Sequence, residues 1–411
     1  MASVSAGFDP TTWAPLPVRA AAARPDAVPA LLAWAAGEGA WFEPIEIVTA
    51  ADGNRTARAR ADVAAGALLI AVPRALMITD VDIGARPLIA TVKEIETMMA
   101  SRHSTLGLWL VREHADPASR WRPYLDALPP AYPWLALHRS AAEVAALAGT
   151  RALAMIVDQA DGCRGDLAFV AELVPDLAAV ALGDFAWGRL VAGTRCFRIA
   201  DDDGSARALV PIADLIDHGR IDATWGYDAV ARRFEVRAAR ALAAGEEIQI
   251  SYGRHDNAVL ASTHGLALPD NPDDEVLVHL PGPGGRPFAL GARYDLRFAR
   301  AMAAAVARPG DTDTDGLLRV ARAAASTSAA IAAAPPPPPG DDRWAALCAT
   351  VRASERAIAA AIVDFVDQVT AAGIARPPEA WRALAAELDP AATGATRMLR
   401  EFAQAALPTP G

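Results

Sequence analysis

The chain has 411 residues, enough for two domains, and its 53% hydrophobic and 21% charged residues suit a globular protein with a sizeable core, not a disordered one. A net charge of −10 and a pI near 5.3 argue against nucleic acid as the main partner, because phosphate contacts need clustered Arg and Lys. The cysteines, Cys163, Cys196 and Cys348, are scattered and odd in number, which argues against a disulfide framework or a zinc cluster and fits a reducing, cytoplasmic setting.

Residues 1–28 are rich in Ala and Pro and lack a sustained period, so they read as a loosely attached, poorly ordered leader without a signal-peptide core. No stretch approaches the roughly 20 apolar residues that span a bilayer, so no membrane association is expected. A helix is expected at about 28–37, around Leu31, Leu32 and Trp34. From Trp41 to Thr79 the texture turns to short β-type runs, FEPIEIV, TARARADV and ALLIAVP, separated by turn residues. Strict alternation in Thr56-Ala57-Arg58-Ala59-Arg60-Ala61 puts the arginines on one strand face and the alanines on the other.

The stretch from about 85 to 190 reads as helical, with Leu106, Leu110 and Val111 at helical spacing. Strand texture returns from Arg195 to Leu280 as CFRIA, RALVPIADLI, RRFEVRAARAL, EEIQISYG and DEVLVHL. After Pro283 the chain reads as helical to its end, broken by a loop at Pro335–Pro339, where proline denies a helix its donors. The fold class is α+β: strands, a helical insert, strands, and an all-helical tail.

The residues with chemistry gather late in the second β region. VPIADLIDHG, 210–219, runs an apolar strand into Asp214, Asp217 and His218; GEEIQISYGRHDN, 245–257, follows with Tyr252-Gly253 after a short strand. Taken alone, Asp/Asp/His is either a metal site or a turn whose carboxylates cap backbone donors, and the absence of a second His or Cys at ligand spacing favours the turn.

The order of motifs resembles the SET-domain methyltransferases, in the branch typified by the Rubisco large-subunit lysine methyltransferases and the actin-histidine methyltransferase. That branch has Asp-x-x-Asn-His, then Gly-Glu-x-(apolar)-x-(apolar)-x-Tyr-Gly, then Asn-Ala and a Gly-Phe element ending near Asp-Asn-Pro. This chain reads Asp214-Leu-Ile-Asp217-His218, Gly245-Glu-Glu-Ile-Gln-Ile-Ser-Tyr252-Gly253, Asn257-Ala258, His264-Gly265-Leu266 and Pro269-Asp-Asn-Pro272. Asp62-Val-Ala-Ala-Gly66 and Trp121-Arg-Pro-Tyr124 resemble weaker elements of the same branch. The resemblance covers about 30–280.

It implies a SET-type β-fold over 29–282, with the helical insert at about 85–190, and a helical domain over 283–411 on which a protein substrate docks. It implies S-adenosyl-L-methionine as cofactor, no metal, and methyl transfer to a lysine or, as second reading, a histidine of that substrate by a monomeric protein. Tyr252 would stand beside the transferring methyl. Gly53, Asn54, Arg55, Arg195, Asp214, Asp217, His218 and His264 would hold the cofactor, while Thr194, Tyr227 and Leu266 would line the substrate channel. Trp121 and Tyr124 read as packing residues.

Two positions depart from the family pattern. Gly53-Asn54-Arg55-Thr56 stands where the branch has Glu-Gly-x-Gly, and β-branched Thr56 resists positive φ. Asp217 replaces an Asn; it suits the cofactor's ammonium and repels its carboxylate. These departures motivate an alternative, a catalytically impaired SET-fold protein that serves as a protein-binding module.

Overall fold

The computed structural model describes residues 8–22, 24, 26–49, 55–85, 87–201, 204–279, 287–291, 313–372, 378–388, 396 and 400. Helix α1 (Ala27–Gly37) leads into β1 (Ile45–Thr49), β2 (Arg55–Ala59), β3 (Leu68–Pro73) and β4 (Ile78–Thr79). Then come α2 (Pro87–Glu94), α3 (His103–Ala115), α4 (Arg122–Ala127), α5 (Ala141–Val144), α6 (Arg151–Leu173) and α7 (Leu182–Arg195). Strands return as β5 (Cys196–Asp201), β6 (Gly204–Leu209), β7 (Asp217–Asp228), β8 (Arg233–Ala238) and β9 (Glu247–Ile250). The last elements are α8 (Asn257–Val259), β10 (Glu275–His279), β11 (Pro287–Gly291), α9 (Asp313–Ala333), α10 (Asp342–Ala372) and α11 (Pro378–Glu387).

The chain divides into two compact units that interleave along the sequence. One takes Leu16–Pro133 and Ala160–Arg254; the other takes the residues up to Pro15, Trp134–Gln159 and His255 onward.

The first unit holds a six-stranded sheet of order β1-β2-β9-β7-β8-β3 and a three-stranded sheet of order β4-β6-β5. Every pairing is antiparallel except β7 with β9. The alternation in β2 works as expected: Ala57 and Ala59 are fully buried, and Arg58 reaches the Gly245 carbonyl. Phe197, Trp225 and Phe234 pack ring to ring, with centroids 4.8 to 5.8 Å apart. Fully burying such side chains contributes about 1.5–3 kcal/mol each. Helices α3 and α7 cross at Gly107 and Gly188, where a Cβ on Gly188 would lie 2.3 Å from the Gly107 carbonyl oxygen. Residues of the sequence's leader take part in this unit: Leu16 is buried, and Arg19 lies over the Trp187 ring and donates to Asp184.

A bulge between His218 and Ala223 on β7 interrupts its parallel pairing with β9. Both residues register with Ile250, so the segment between them leaves the ladder. The buried Asp222 carboxylate takes up the slack by accepting from the Gln249 amide and from Arg240.

The expected strand over 207–216 stops at Leu209. Val210, Ile212 and Ala213 are fully buried and Pro211 has no N–H for a ladder, so the chain turns inside the core. Ile212 takes φ 72°, ψ −50°, a γ-turn with positive φ, and a short 3₁₀ turn at Ala213–Leu215 follows. For a β-branched residue that conformation stores on the order of 1–3 kcal/mol of strain, which its burial offsets.

The second unit pairs α9 with α10 around the buried Leu317, Val320, Ile331, Val351, Ile362 and Phe365. Residues 335–338 between them are without secondary structure, as the proline run requires. The region after Pro283 is not wholly helical. β11 pairs antiparallel with β10, whose buried Val276 and Val278 alternate with half-buried neighbours. Among the described residues, no helix is long and apolar enough to cross a membrane.

Candidate active site

The site in the first unit forms where β9 ends against β7. Two residues beyond β9, Tyr252 is half-buried, and its backbone N–H donates to His218 Nδ1 at 3.1 Å. Its phenol donates to the Ile216 carbonyl at 2.9 Å, and the Tyr252 and His218 rings lie 5.1 Å apart. Both ends of the tyrosine are thus fixed by residues flanking Asp217. Burial, reinforced by the negative charge of Asp217, raises the phenol's pKa well above the usual tyrosine range. Tyr252 is therefore a protonated donor at neutral pH and not a base.

Asp217 opens β7 and is half-buried. Burial and the neighbouring Glu247 carboxylate push its pKa up to about 6, with Arg195 acting in the opposite direction. Its charge therefore changes close to physiological pH.

Beneath it lies a pair of guanidinium groups. Arg195, at the end of α7, donates to the Asp214 carbonyl at 2.7 Å and approaches the Asp214 carboxylate at 3.5 Å. Burial alone would lower the Arg195 pKa, but Tyr132 and Asp214 outweigh it and hold the group charged. Arg55, at the start of β2, donates to the Ala127 carbonyl at the end of α4. Its pKa is lowered, first by burial and then by repulsion from Arg195, with Asp214 acting against both. Both cations thus act electrostatically on one buried carboxylate, and Asp217 adds a second carboxylate within reach of Arg195. Burial raises the Asp214 pKa, while Arg195 and a hydrogen bond from Tyr124 pull it back.

Arg195 Nε and Asp214 Oδ1 are both buried and have no hydrogen-bond partner among the described residues. A donor and an acceptor left over on two residues that touch each other suit a zwitterionic amino-acid group, whose carboxylate and ammonium would satisfy them in turn. An orphaned pair of this kind fits the methionyl end of S-adenosylmethionine.

Thr194 belongs to the same unit, on the last turn of α7, where its hydroxyl donates to the Leu190 carbonyl. Tyr227 stands near the opposite end of β7 from His218, paired with Phe234 of β8. Gly53 and Asn54 lie outside the described residues. His264 and Leu266 belong to the second unit: His264 ends a π-helical turn, Leu260–His264, and Gly265 follows at φ +68°. A Cβ on Gly265 would meet Leu135 at 2.9 Å and Trp134 at 3.1 Å, so glycine is required there by conformation and by space. Asn257, also in the second unit, is fully buried and ties Leu268 to Asp274 through its side-chain amide.

The sequence reading took Tyr124 as a packing residue; it is almost fully buried, and it also donates to the Asp214 carboxylate at 2.8 Å. Nothing local signalled this hydrogen bond, because the two residues are 90 positions apart. No group of three His, Cys, Asp or Glu among the described residues could hold a metal ion, so Asp214, Asp217 and His218 are not such a set.

No family model matches the sequence. It is similar to proteins named actin-histidine N-methyltransferase. The Canis lupus familiaris protein is 30% identical over 268 residues, 62% of this chain and 45% of that protein. The Danio rerio protein is 29% identical over 286 residues, 67% of this chain and 48% of that protein. The chain thus matches less than half the length of these relatives. Among solved structures, the SET domain of LSMT bound to lysine and AdoHcy superposes with a TM-score of 0.67 at 18% identity, over 84% of this chain and 92% of that one. Rubisco LSMT bound to AdoMet superposes with a TM-score of 0.64, also at 18% identity, over 83% and 92%. The chain has the fold of the SET domain and is similar in sequence to proteins named actin-histidine N-methyltransferase.

Proposed function

We propose that this protein is an S-adenosylmethionine-dependent protein N-methyltransferase, acting on a lysine side chain or, as second reading, a histidine. The observation that carries the reading is Tyr252, fixed at its N–H by His218 and at its phenol by the Ile216 carbonyl, within electrostatic reach of Arg195, Asp214 and Asp217. S-adenosylmethionine supplies a methyl group on a positively charged sulfur, ready for in-line displacement by a nitrogen lone pair. The cofactor's carboxylate fits the Arg55–Arg195 pair, and its ammonium fits Asp214 and Asp217. Tyr252 and His218 form the wall beside which acceptor and methyl align, an orientation task in which the main gain is entropic. The acceptor must arrive neutral. A free lysine amine has a pKa of about 10.4, and a half-buried approach disfavours its charged form. Because Tyr252 stays protonated, the proton lost by lysine leaves through solvent.

The sequence relatives, named as actin-histidine N-methyltransferases, favour histidine as acceptor, and the structural neighbour with lysine bound favours lysine. The reading extends to the whole chain: residues 29–282 form the catalytic domain, and the helices after 283 dock the protein substrate. Thr194 and Tyr227 line the acceptor channel.

The test is transfer of a labelled methyl group into a host lysate by wild type and Tyr252→Phe, followed by mass spectrometry of the labelled residue. Label on lysine or histidine that disappears with Tyr252→Phe supports the reading and decides the acceptor. Equal labelling by both proteins removes Tyr252 from the mechanism. Cofactor binding without any transfer would move the protein to the binding-module alternative.

A further inference from the structure

The short helix α4, a part of the helical insert, touches both halves of the two-arginine cradle. The Ala127 carbonyl accepts from Arg55, and the Tyr124 phenol donates to the Asp214 carboxylate at 2.8 Å. Asp214 in turn holds Arg195 through its carbonyl at 2.7 Å and its carboxylate at 3.5 Å. The Tyr124 side chain is 1% exposed and Asp214 is 7% exposed, so water does not compete for this chain of contacts. Without Tyr124, Asp214 would keep its carboxylate buried against Arg195 alone and would be free to rotate about its side-chain torsions. We propose that Tyr124 is a positioning residue for the carboxylate end of the cofactor, acting through Asp214 on Arg195, and that α4 is the element that sets the spacing of the two guanidinium groups.

This inference rests on the cofactor reading given above and deepens it. A tyrosine that only filled the core would affect every ligand of the site equally. A tyrosine that aims a guanidinium at a carboxylate affects ligands that carry one. The repulsion between the two guanidinium groups points the same way, because their separation must be held by something other than their own interaction. The Ala127 carbonyl and the Tyr124 hydroxyl, three residues apart on one helix, do that.

The experiment is calorimetric titration with S-adenosylmethionine and with its decarboxylated form, which lacks the carboxylate and keeps the sulfonium and adenosine. For Tyr124→Phe, affinity for S-adenosylmethionine falls about tenfold, the scale of one charge-assisted hydrogen bond, while affinity for the decarboxylated ligand stays within about twofold. Arg55→Gln, which removes a guanidinium assigned to the carboxylate itself, is the positive control for this discrimination. Tyr124→His, which keeps a ring and a donor, loses less of the preference for S-adenosylmethionine than Tyr124→Leu, and this pair serves if Tyr124→Phe does not fold. In an Arg195→Lys background, Tyr124→Phe adds little further loss, because its route to the ligand is already changed. Equal loss for both ligands, or no loss for either, overturns the proposal and leaves the cofactor reading standing. Failure of the wild type to bind either ligand overturns the cofactor reading itself.

Discussion

His218 Nδ1 accepts the backbone N–H of Tyr252 at 3.1 Å, across the parallel pairing of β7 with β9. The hydrogen bond joins the start of β7 to the segment after β9 and sets the direction in which Tyr252 leaves the sheet. It also requires that Nδ1 carry no proton, which makes His218 a structural acceptor and not an acid.

Replacing His218 by Phe keeps a ring and removes the acceptor. The buried N–H of Tyr252 then lacks its partner, at a cost of about 1–3 kcal/mol, part of which appears as misorientation of the phenol. We expect methyl transfer in single turnover to fall about tenfold or more, with cofactor affinity changed far less. An equal fall in both would mean that His218 serves the cofactor and not Tyr252.

Asp217 gives the site a pH dependence. Its pKa lies near 6, raised by burial and by Glu247, so the carboxylate is neutral below that value and charged above it. The cofactor's ammonium needs the charged form, so affinity for S-adenosylmethionine should rise as pH passes upward through about 6. For folding the sign is opposite: a raised pKa favours the protonated folded protein, and that contribution fades as pH rises through the same range. Asp217→Asn should flatten the affinity profile between pH 5 and 7, as titration calorimetry at several pH values can measure. A profile that keeps its slope in Asp217→Asn would assign the dependence to another group.

The α3–α7 crossing allows no side chain at Gly188. A Cβ there would meet the backbone of Gly107, with oxygen at 2.3 Å and carbon at 2.9 Å, and backbone cannot rotate away. Gly188→Ala should destabilise the protein by about 1–3 kcal/mol or more, seen as a lower melting temperature. Gly165, which meets nothing within 4 Å, is the control, and its change to Ala should leave melting unchanged or slightly raised. Similar melting for both variants would mean that the helices separate at little cost.

In the second unit, Glu355 of α10 caps the start of α6, accepting from the Arg151 amide at 2.8 Å and the Ala152 amide at 3.3 Å. Burial raises its pKa well above the ordinary glutamate value, and the two amides and Arg151 only partly oppose this, with Asp274 adding to the rise. The protonated form is therefore favoured on folding, and stability is lost as pH rises from the unfolded value toward the folded one. Glu355→Gln keeps an acceptor and removes the charge, so thermal melting should become less dependent on pH and rise at pH 8 relative to wild type. A lower melting temperature at pH 8 would show that the ionised cap outweighs its burial.

Much of the fold was legible because its signals are local. Alternation at 56–61 set the buried face of β2, helical spacing marked the insert, and the prolines at 335–339 marked the break between α9 and α10. The ordered motifs from Asp214 to Pro272 named the fold family, since they depend on residue type and spacing and not on packing. Where a local signal misled, the cause was burial on all sides. Val210, Ile212 and Ala213 look like a strand because they are apolar, yet they are a buried turn with a strained isoleucine.

By itself, then, the sequence determined the α+β layout and the SET-type motif order, and it singled out Tyr252, His218 and Arg195 as candidate site residues. Only the tertiary structure decided what holds them: Asp214 as a shared carboxylate between Arg195 and Tyr124, Ala127 as the acceptor for Arg55, and His218 as the anchor of Tyr252. These partners are 19 to 90 residues apart in the chain. Contacts at that separation leave no periodicity to read, and the pKa of Asp217 is set by burial and by Glu247, neither of which exists before the chain folds.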